Sequence, residues 1–124
     1  MIEVPEVTSQ PVFIGGLMKS GTSLLRTLIG QHPELFASFE THWYEDDVSL
    51  RWDDPTSRRM RYLLEFYEID GQTYTELCEA KRTAQDREFV SILLDHCTQR
   101  AGRRRWVEKT PGNIQHYHRI LGQW

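Results

Sequence analysis

The sequence has 124 residues, of which 39% are hydrophobic and 27% charged, and its formal net charge is −3 at pH 7. These values are typical of a soluble globular chain, and the length predicts one domain, residues 1–124. The acidic balance argues against non-specific nucleic-acid binding. No apolar run approaches the ~20 residues that a membrane span needs. Residues 1–10 lack a basic-then-apolar leader pattern, so a cytoplasmic location is the default expectation.

Cysteine and histidine spacing gives no reason to expect a metal site. Cys78 and Cys97 are far apart and outside any C-x-x-C pattern, so we expect two buried free thiols. His116 and His118 are two residues apart on a predicted helix, which points them to different faces.

The first elements alternate between strand and helix. Residues 11–15, PVFIG, are a short apolar run bounded by Pro and Gly, which predicts a buried parallel strand. Residues 16–21 form a loop, and a helix follows over Thr22–Ile29, ending at Gly30. Residues 35–39, LFASF, predict a second strand. The helix places three leucines on one face: Leu24, Leu25 and Leu28.

The middle of the chain reads as helical. Asp53-Asp54-Pro55 predicts an N-cap followed by Pro in the first turn, and apolar residues then repeat at helical spacing from Met60 to Tyr67. We expect Gly71 to close that helix and a short helix to cover Tyr74–Cys78. A clearer helix is predicted from Asp86 to Ala101.

The last part of the chain returns to a strand and a helix. Arg105–Lys109 predicts a third strand, and Thr110-Pro111 starts a final helix. That helix carries three apolar residues on one face: Ile114, Tyr117 and Leu121. The order strand, helix, strand, helices, strand, helix predicts an α/β fold of P-loop-like, three-layer type with a parallel sheet.

The stretch from Gly15 to Ser23 carries the strongest functional signal. Its glycines allow a sharp turn and a close approach of the backbone to a ligand. The first N–H groups of the following helix have no intrahelical partner and, with the helix dipole, favour an anion. Lys19 adds a full positive charge and hydroxyl residues add further donors. The sequence therefore predicts an oxyanion site in this loop.

The loop departs from the Walker A motif, G-x-x-x-x-G-K-[ST]. Counted from Gly16, the second glycine is Gly21, but Thr22 stands where the motif has lysine. The lysine lies inside the loop as Lys19, two positions before Gly21. This shift disfavours the alternative of a P-loop kinase or ATPase.

Two motifs together resemble the sulfotransferase superfamily. Residues 19–33, KSGTSLLRTLIGQHP, resemble the 5′-phosphosulfate-binding loop and helix of that family. Residues 106–113, WVEKTPGN, resemble the E-K-[TS]-P-x-N segment of its bacterial and Golgi-type members. The resemblance implies 3′-phosphoadenosine 5′-phosphosulfate (PAPS) as the sulfuryl donor, no metal cofactor, and a hydroxyl or amine acceptor on a sugar, peptide or small molecule.

The resemblance also implies roles for individual residues. Lys19 would contact the 5′-phosphate or bridging oxygens and stabilise charge on the leaving group. Lys109 would be a second cationic contact near the sulfuryl group or the acceptor. The remaining donor-binding residues would be Ser20, Gly21, Thr22 and Ser23.

The acceptor hydroxyl needs a general base, and the resemblance implies two candidates. Glu40 follows His32-Pro33 at the distance where protein-tyrosine sulfotransferases carry a catalytic Glu before Thr. His42 is the runner-up, because cytosolic family members use histidine and its ordinary pKa suits the task.

Other residues keep two interpretations. Trp43, Tyr44 and Trp52 either line an acceptor pocket or pack in the core or at its rim. Arg26 is expected as a helix-face charge, with reach toward the pocket as the alternative. The basic run at residues 103–105 is expected as a solvated strand entrance, with contact to an anionic acceptor or nucleotide as the alternative.

The resemblance further implies a later R-D-P-x-x-x-x-x-S-type strand and helix that grip the donor's 3′-phosphate. The sequence ends at Trp124, where that strand would begin, so we expect an N-terminal part of a sulfotransferase domain, incomplete at the C-terminus. A non-catalytic remnant of the family is the remaining alternative.

Overall fold

The computed structural model describes residues 10–17, 19–38, 40–42, 44 and 52–123. Three parallel strands form a sheet in the order β1–β3–β2. They are β1 (Val12–Ile14), β2 (Leu35–Ala37) and β3 (Arg105–Lys109). In the register, Ile14 lies opposite Lys109 and Ala37 opposite Val107. The strand latest in sequence therefore lies in the middle of the sheet.

Five α-helices and one 3₁₀ helix accompany the sheet in the described chain. They are α1 (Thr22–Ile29), α2 (Arg58–Phe66), α3 (Gly71–Thr83), α4 (Phe89–Arg100), the 3₁₀ helix (Pro111–Gln115) and α5 (Tyr117–Gln123). No helix in these described stretches is both long enough and apolar enough to span a bilayer.

Helices cover both faces of the sheet. On one face, the indole N–H of Trp106 donates a 2.8 Å hydrogen bond to Asp95 of α4. The opposite face carries Ala37, and α1 approaches it so closely that a Cβ added at Gly30 would lie 2.5 Å from the Ala37 Cβ. Because side chains alternate along a strand, these contacts place α4 and α1 on opposite sides. The predicted three-layer α/β arrangement with a parallel sheet is confirmed.

The hydrophobic core lies between the sheet and the α2–α4 helices. Helix α4 is the centre of this core, with nine of its twelve residues buried. Its fully buried members include Phe89, Ile92, Leu93 and Leu94, which pack with Trp106 of β3. Both predicted free thiols, Cys78 and Cys97, are buried, as expected.

The predicted start of α2 is wrong by three residues. Asp54 does not cap the helix; its carboxylate instead accepts hydrogen bonds from the N–H and hydroxyl of Thr56, at 3.0 and 2.6 Å. Ser57 is the N-cap, and its hydroxyl accepts from the Met60 N–H at 3.3 Å. Asp54 therefore closes a local turn, and the Ser57 hydroxyl accepts from a free amide at the start of the helix.

Gly71 begins a helix rather than ending one. Helix α2 ends at Phe66, and α3 runs from Gly71 to Thr83, longer than the short helix predicted around Tyr74–Cys78. Asp70 is the N-cap of α3 and accepts from the Thr73 N–H at 2.7 Å. This local hydrogen bond also lowers the pKa of the Asp70 carboxyl.

The apolar faces predicted for α1 and for the final helix point outward. Leu24, Leu25 and Leu28 are 63%, 46% and 57% exposed. The predicted final helix is two elements, the 3₁₀ helix and α5, and its three apolar face residues, Ile114, Tyr117 and Leu121, are exposed as well. Thr22 and Ile120 are the buried residues of α1 and α5.

The aromatic candidates divide between core and undescribed positions. Tyr44 belongs to the core cluster and Trp52 packs against it, so the core interpretation holds for both. Trp43 lies outside the described residues, as does Phe39 at the predicted end of β2.

Candidate active site

The loop between β1 and α1 starts with a close contact to the 3₁₀ helix. A Cβ added at Gly15 would lie 2.5 Å from the Ile114 backbone nitrogen, so only glycine fits without movement. The next residue, Gly16, donates its N–H to the Pro111 carbonyl at 2.9 Å. The loop is thereby held against the segment that follows β3.

The middle of the loop is a tight turn that presents Lys19. The Leu17 carbonyl accepts hydrogen bonds from both the N–H and the hydroxyl of Ser20, at 3.2 and 2.5 Å. Lys19 adopts a left-handed backbone conformation, with φ 61°, and its side chain is exposed. Few non-glycine residues adopt a left-handed backbone conformation, and those that do are concentrated at ligand and active sites.

The loop ends where α1 begins, and Gly21 is the N-cap. Its φ of 94° is left-handed, and no side chain in the described chain caps the helix. No acidic residue occupies the first turn. No carboxylate of this eight-residue helix therefore competes for its leading amides, which is the arrangement that favours an anion.

Three side chains form the opposite wall. The Lys109 ammonium group makes an ion pair with Glu40 Oε1, and Glu40 Oε2 lies 3.3 Å from His42 Nε2. Lys109 is 3% exposed, so its charge is largely withdrawn from water. Glu40 thus bridges an ammonium group and an imidazole. His42 is also left-handed, with φ 54°.

A cleft of about 570 Å³ lies between these two walls. Seven predicted site residues line it: Lys19, Gly21, Thr22, Ser23, Glu40, His42 and Lys109. The structure brings these residues together from three separate parts of the chain. Ser20 is not among the lining residues, because its hydroxyl is used inside the Leu17 turn.

The sequence prediction assigned no role to Glu108, which is 0% exposed and accepts four hydrogen bonds. Its Oε1 accepts from the N–H and hydroxyl of Thr41, both at 3.0 Å, and from the Thr110 hydroxyl at 2.6 Å. Its Oε2 accepts from Asn113 Nδ2 at 2.7 Å. The available signal was an acidic residue beside the apolar pair Trp106 and Val107 in a predicted strand, followed by hydroxyl and amide side chains.

Among the described residues, no group of three or more His, Cys, Asp or Glu side chains is arranged as metal ligands. The positive charges of the cleft are instead lysines, one on each wall. Two ammonium groups and a row of helix amides can neutralise a multiply charged oxyanion.

No curated protein and no solved structure is significantly similar to the chain. A family model described as "Sulfotransferase family" matches residues 11–122, which includes both walls of the cleft. The match extends over far more than half of the sequence. The chain therefore belongs to the sulfotransferase family.

Proposed function

We propose that the protein transfers a sulfuryl group from PAPS to a hydroxyl or amine of an acceptor. The observation that carries the proposal is the cleft itself. One wall is the uncapped N-terminus of α1 with Lys19, and the other joins Lys109 to the two candidate bases. Family membership supports the reaction type.

The donor's 5′-phosphosulfate fits the wall formed by the loop and α1. The leading amides of the helix and the hydroxyls of Thr22 and Ser23 are its hydrogen-bond donors. Lys19 neutralises the charge that builds on the leaving phosphate. In the structure, Lys109 forms an ion pair with Glu40. An anion in the cleft competes with Glu40 for this ammonium group.

The transfer step conserves atoms and electron pairs. The acceptor oxygen or nitrogen attacks sulfur, and the bond from sulfur to the bridging oxygen breaks. The leaving 3′-phosphoadenosine 5′-phosphate keeps that electron pair. By analogy with phosphoryl transfer, the entering and leaving atoms lie in line. The acceptor's proton passes to Glu40, whose carboxylate faces the same cleft.

Glu40 is the first candidate for the base, and His42 is the second. The two side chains are 3.3 Å apart, so a proton taken by one can be shared with the other. When the donor draws Lys109 away, the Glu40 carboxylate loses its ion-pair partner and is available to the acceptor's hydroxyl or amine. Acceptor binding is proposed for a sugar, peptide or small molecule that carries the nucleophile.

Binding of 3′,5′-adenosine bisphosphate, compared with ATP plus Mg²⁺, tests the proposal. We expect the bisphosphate to bind more tightly in calorimetry, and Lys19→Ala to weaken it by about tenfold or more. Lys81→Ala is the matched control, because Lys81 lies outside the cleft and donates to the Gln85 carbonyl. Equal or absent binding of the two nucleotides by the full-length protein would argue against a PAPS site.

A further inference from the structure

We infer that Glu108 is a positioning residue that sets the distance between the two walls of the cleft. Its importance for turnover rests on the proposed function. The geometric part of the inference does not, because it depends only on which segments the carboxylate holds together.

The environment of Glu108 is built for a carboxylate. The side chain is completely buried, and its two oxygens accept four hydrogen bonds from neutral donors. A buried carboxylate is stable only if its lone pairs are satisfied, and four acceptor sites are its ordinary capacity. An apolar residue at this position would remove the acceptor of all four hydrogen bonds.

One oxygen of Glu108 holds the wall that carries the candidate bases. Oε1 binds both polar groups of Thr41, the residue between Glu40 and His42. It also accepts from the Thr110 hydroxyl, which in turn accepts from the His42 N–H at 3.2 Å. One atom, Glu108 Oε1, therefore holds the backbone between Glu40 and His42, directly at Thr41 and through Thr110 at His42.

The other oxygen holds the wall that carries the anion loop. Oε2 accepts from Asn113 Nδ2, and the same nitrogen donates to the Ile14 carbonyl at 3.0 Å. Ile14 is the last residue of β1, immediately before the loop. Both neighbours of this nitrogen are acceptors, so the amide cannot rotate to present its oxygen without losing both bonds.

Side chains alternate between the two sides of β3, so neighbouring residues of this strand contact different parts of the segment at residues 40–42. Glu108 and Thr110 face one side of the strand and grip residues 41 and 42, while Lys109 faces the other side and grips Glu40. A shift of the Thr41 segment changes the contact of Glu40 with Lys109 at the same time. Misplacement of about 1 Å can cost on the order of 10²-fold in rate.

Glu108→Gln is the most informative variant. It preserves shape, but one end of the group becomes an N–H donor that faces either Asn113 Nδ2 or the Thr41 and Thr110 donors. Glu79→Gln is the control, because Glu79 is exposed and on α3. Thr41→Val and Thr41→Ser form a second pair, since serine keeps the hydroxyl that valine removes.

The first measurement is independent of any sulfuryl transfer. Two-dimensional NMR of the folded proteins reports the amide resonances of Thr41, His42 and Gly16, with the core residue Leu93 as reference. We expect Glu108→Gln to move the first three and leave Leu93 unchanged. Unchanged Thr41 and His42 resonances would overturn the inference whether or not the protein is a sulfotransferase.

The second measurement separates positioning from a purely structural role. We expect Glu108→Gln to lower turnover by about tenfold or more, the scale of one lost bond to a charged acceptor, with the KM for donor changed less than about threefold. In a Glu40→Gln background the same change should have little further effect. The positioning role would be overturned if Glu108→Gln lowered turnover in the Glu40→Gln background as much as in the unaltered chain. It would also be overturned if Thr41→Ser lowered turnover as much as Glu108→Gln does.

Discussion

At the scale of single residues, Lys19 combines an unusual backbone conformation with the charge that the cleft requires. Its left-handed φ of 61° directs an exposed ammonium group from the middle of the loop. We expect Lys19→Ala to lower turnover on the order of 10²-fold, because a contact to charge that develops in the transition state is lost. Steady-state kinetics with PAPS and an identified acceptor measure this.

Lys19→Gly separates the charge from the backbone conformation. Glycine adopts a positive φ at no steric cost, so this variant removes the ammonium group without straining the turn. Turnover should fall as far as in the alanine variant. If glycine restored near-normal turnover, strain in the loop rather than the lost charge would explain the alanine result.

The assignment of the base is a separate prediction. Glu40→Gln keeps the shape of the side chain but cannot accept the acceptor's proton, so turnover should fall. Affinity for 3′,5′-adenosine bisphosphate should not fall, because the neutral amide competes less than the carboxylate for Lys109. Calorimetry and initial rates on the same preparation measure both quantities. His42→Ala should be milder. The opposite ranking would assign the base to His42.

The composition of the site was predictable from the sequence, but its contacts were not. Lys19 was expected from the chemistry of the loop, and Glu40, His42 and Lys109 from the family resemblance; all four line one cleft. The ion pair between Lys109 and Glu40 was not predicted, because it joins residues that are 69 apart in sequence. Their proximity depends on β2 and β3 being neighbours, which local patterns do not encode.

At the scale of elements, the turn after β1 depends on the absence of a side chain at Gly15. Gly15→Ala would place a Cβ 2.5 Å from the Ile114 backbone nitrogen, and the backbone cannot yield as a side chain would. We expect a loss of about 1–3 kcal/mol in the free energy of unfolding, the usual cost of overpacking. Urea denaturation followed by circular dichroism measures it.

Gly71→Ala is the matched control for that substitution. Gly71 opens α3, and a Cβ there meets nothing within 4 Å. Alanine should leave stability unchanged or raise it by about 0.4–1 kcal/mol, because it restricts the unfolded chain. Similar losses for the two variants would show that the contact at Ile114 is not the cause.

Helix α4 predicts a pH dependence of stability through His96. Desolvation, reinforced by the Arg100 charge, lowers the pKa of His96 below its ordinary 6.5. Between the lowered pKa of the folded state and 6.5, the unfolded chain binds more protons at this residue than the folded chain does. The free energy of unfolding therefore decreases as the pH falls below 6.5. Urea unfolding from pH 7.5 to pH 5 should show a weaker decline in His96→Gln than in the unaltered chain.

His118→Gln is the control for the histidine prediction, because His118 is exposed on α5. This substitution tests whether removal of an exposed histidine has the same effect as removal of His96. Equal flattening by both substitutions would contradict an origin in the burial of His96.

Element types were predictable, and element ends were less so. The strand at Arg105–Lys109 and the helix at Thr22–Ile29 match their predicted bounds. The predicted start of α2 was wrong because Asp54 and Ser57 are both good cap residues. Only the folded geometry decides which of the two side chains accepts from a free helix amide. The prediction for Gly71 was wrong because glycine is enriched chiefly just after helix C-termini, whereas here Asp70 caps a new helix that begins at Gly71.

At the scale of the whole molecule, the alternation of strands and helices was enough to predict a parallel sheet but not its strand order. The last strand enters between the first two, so β3 contacts both β1 and β2. Because the strands are parallel, their carboxyl ends meet at one edge of the sheet, where the site lies. The strand order places the end of β3 next to the ends of both β1 and β2. Ligands of open α/β sheets bind at such edges.

The placement of the core also needed the three-dimensional arrangement. A leucine-rich face predicts a buried face, yet the leucines of α1 are exposed. Helix α1 instead faces the sheet with small groups, since Gly30 lies against Ala37. The core depends on α4, whose residues are buried on most sides and therefore show little amphipathic pattern.

Two leucine substitutions test this distribution of the core. Leu93 of α4 is 0% exposed, whereas Leu28 of α1 is 57% exposed. Leu93→Ala removes buried methyl groups and leaves a cavity, so we expect it to lower the free energy of unfolding by about 2–5 kcal/mol. Leu28→Ala should change it by less than about 0.5 kcal/mol, because surface substitutions rarely do more. Urea titrations of both variants, with equal slopes required for comparison, measure the difference. A large loss in Leu28→Ala would mean that α1 buries its leucine face in solution, which would turn the helix and move the amides that open the cleft.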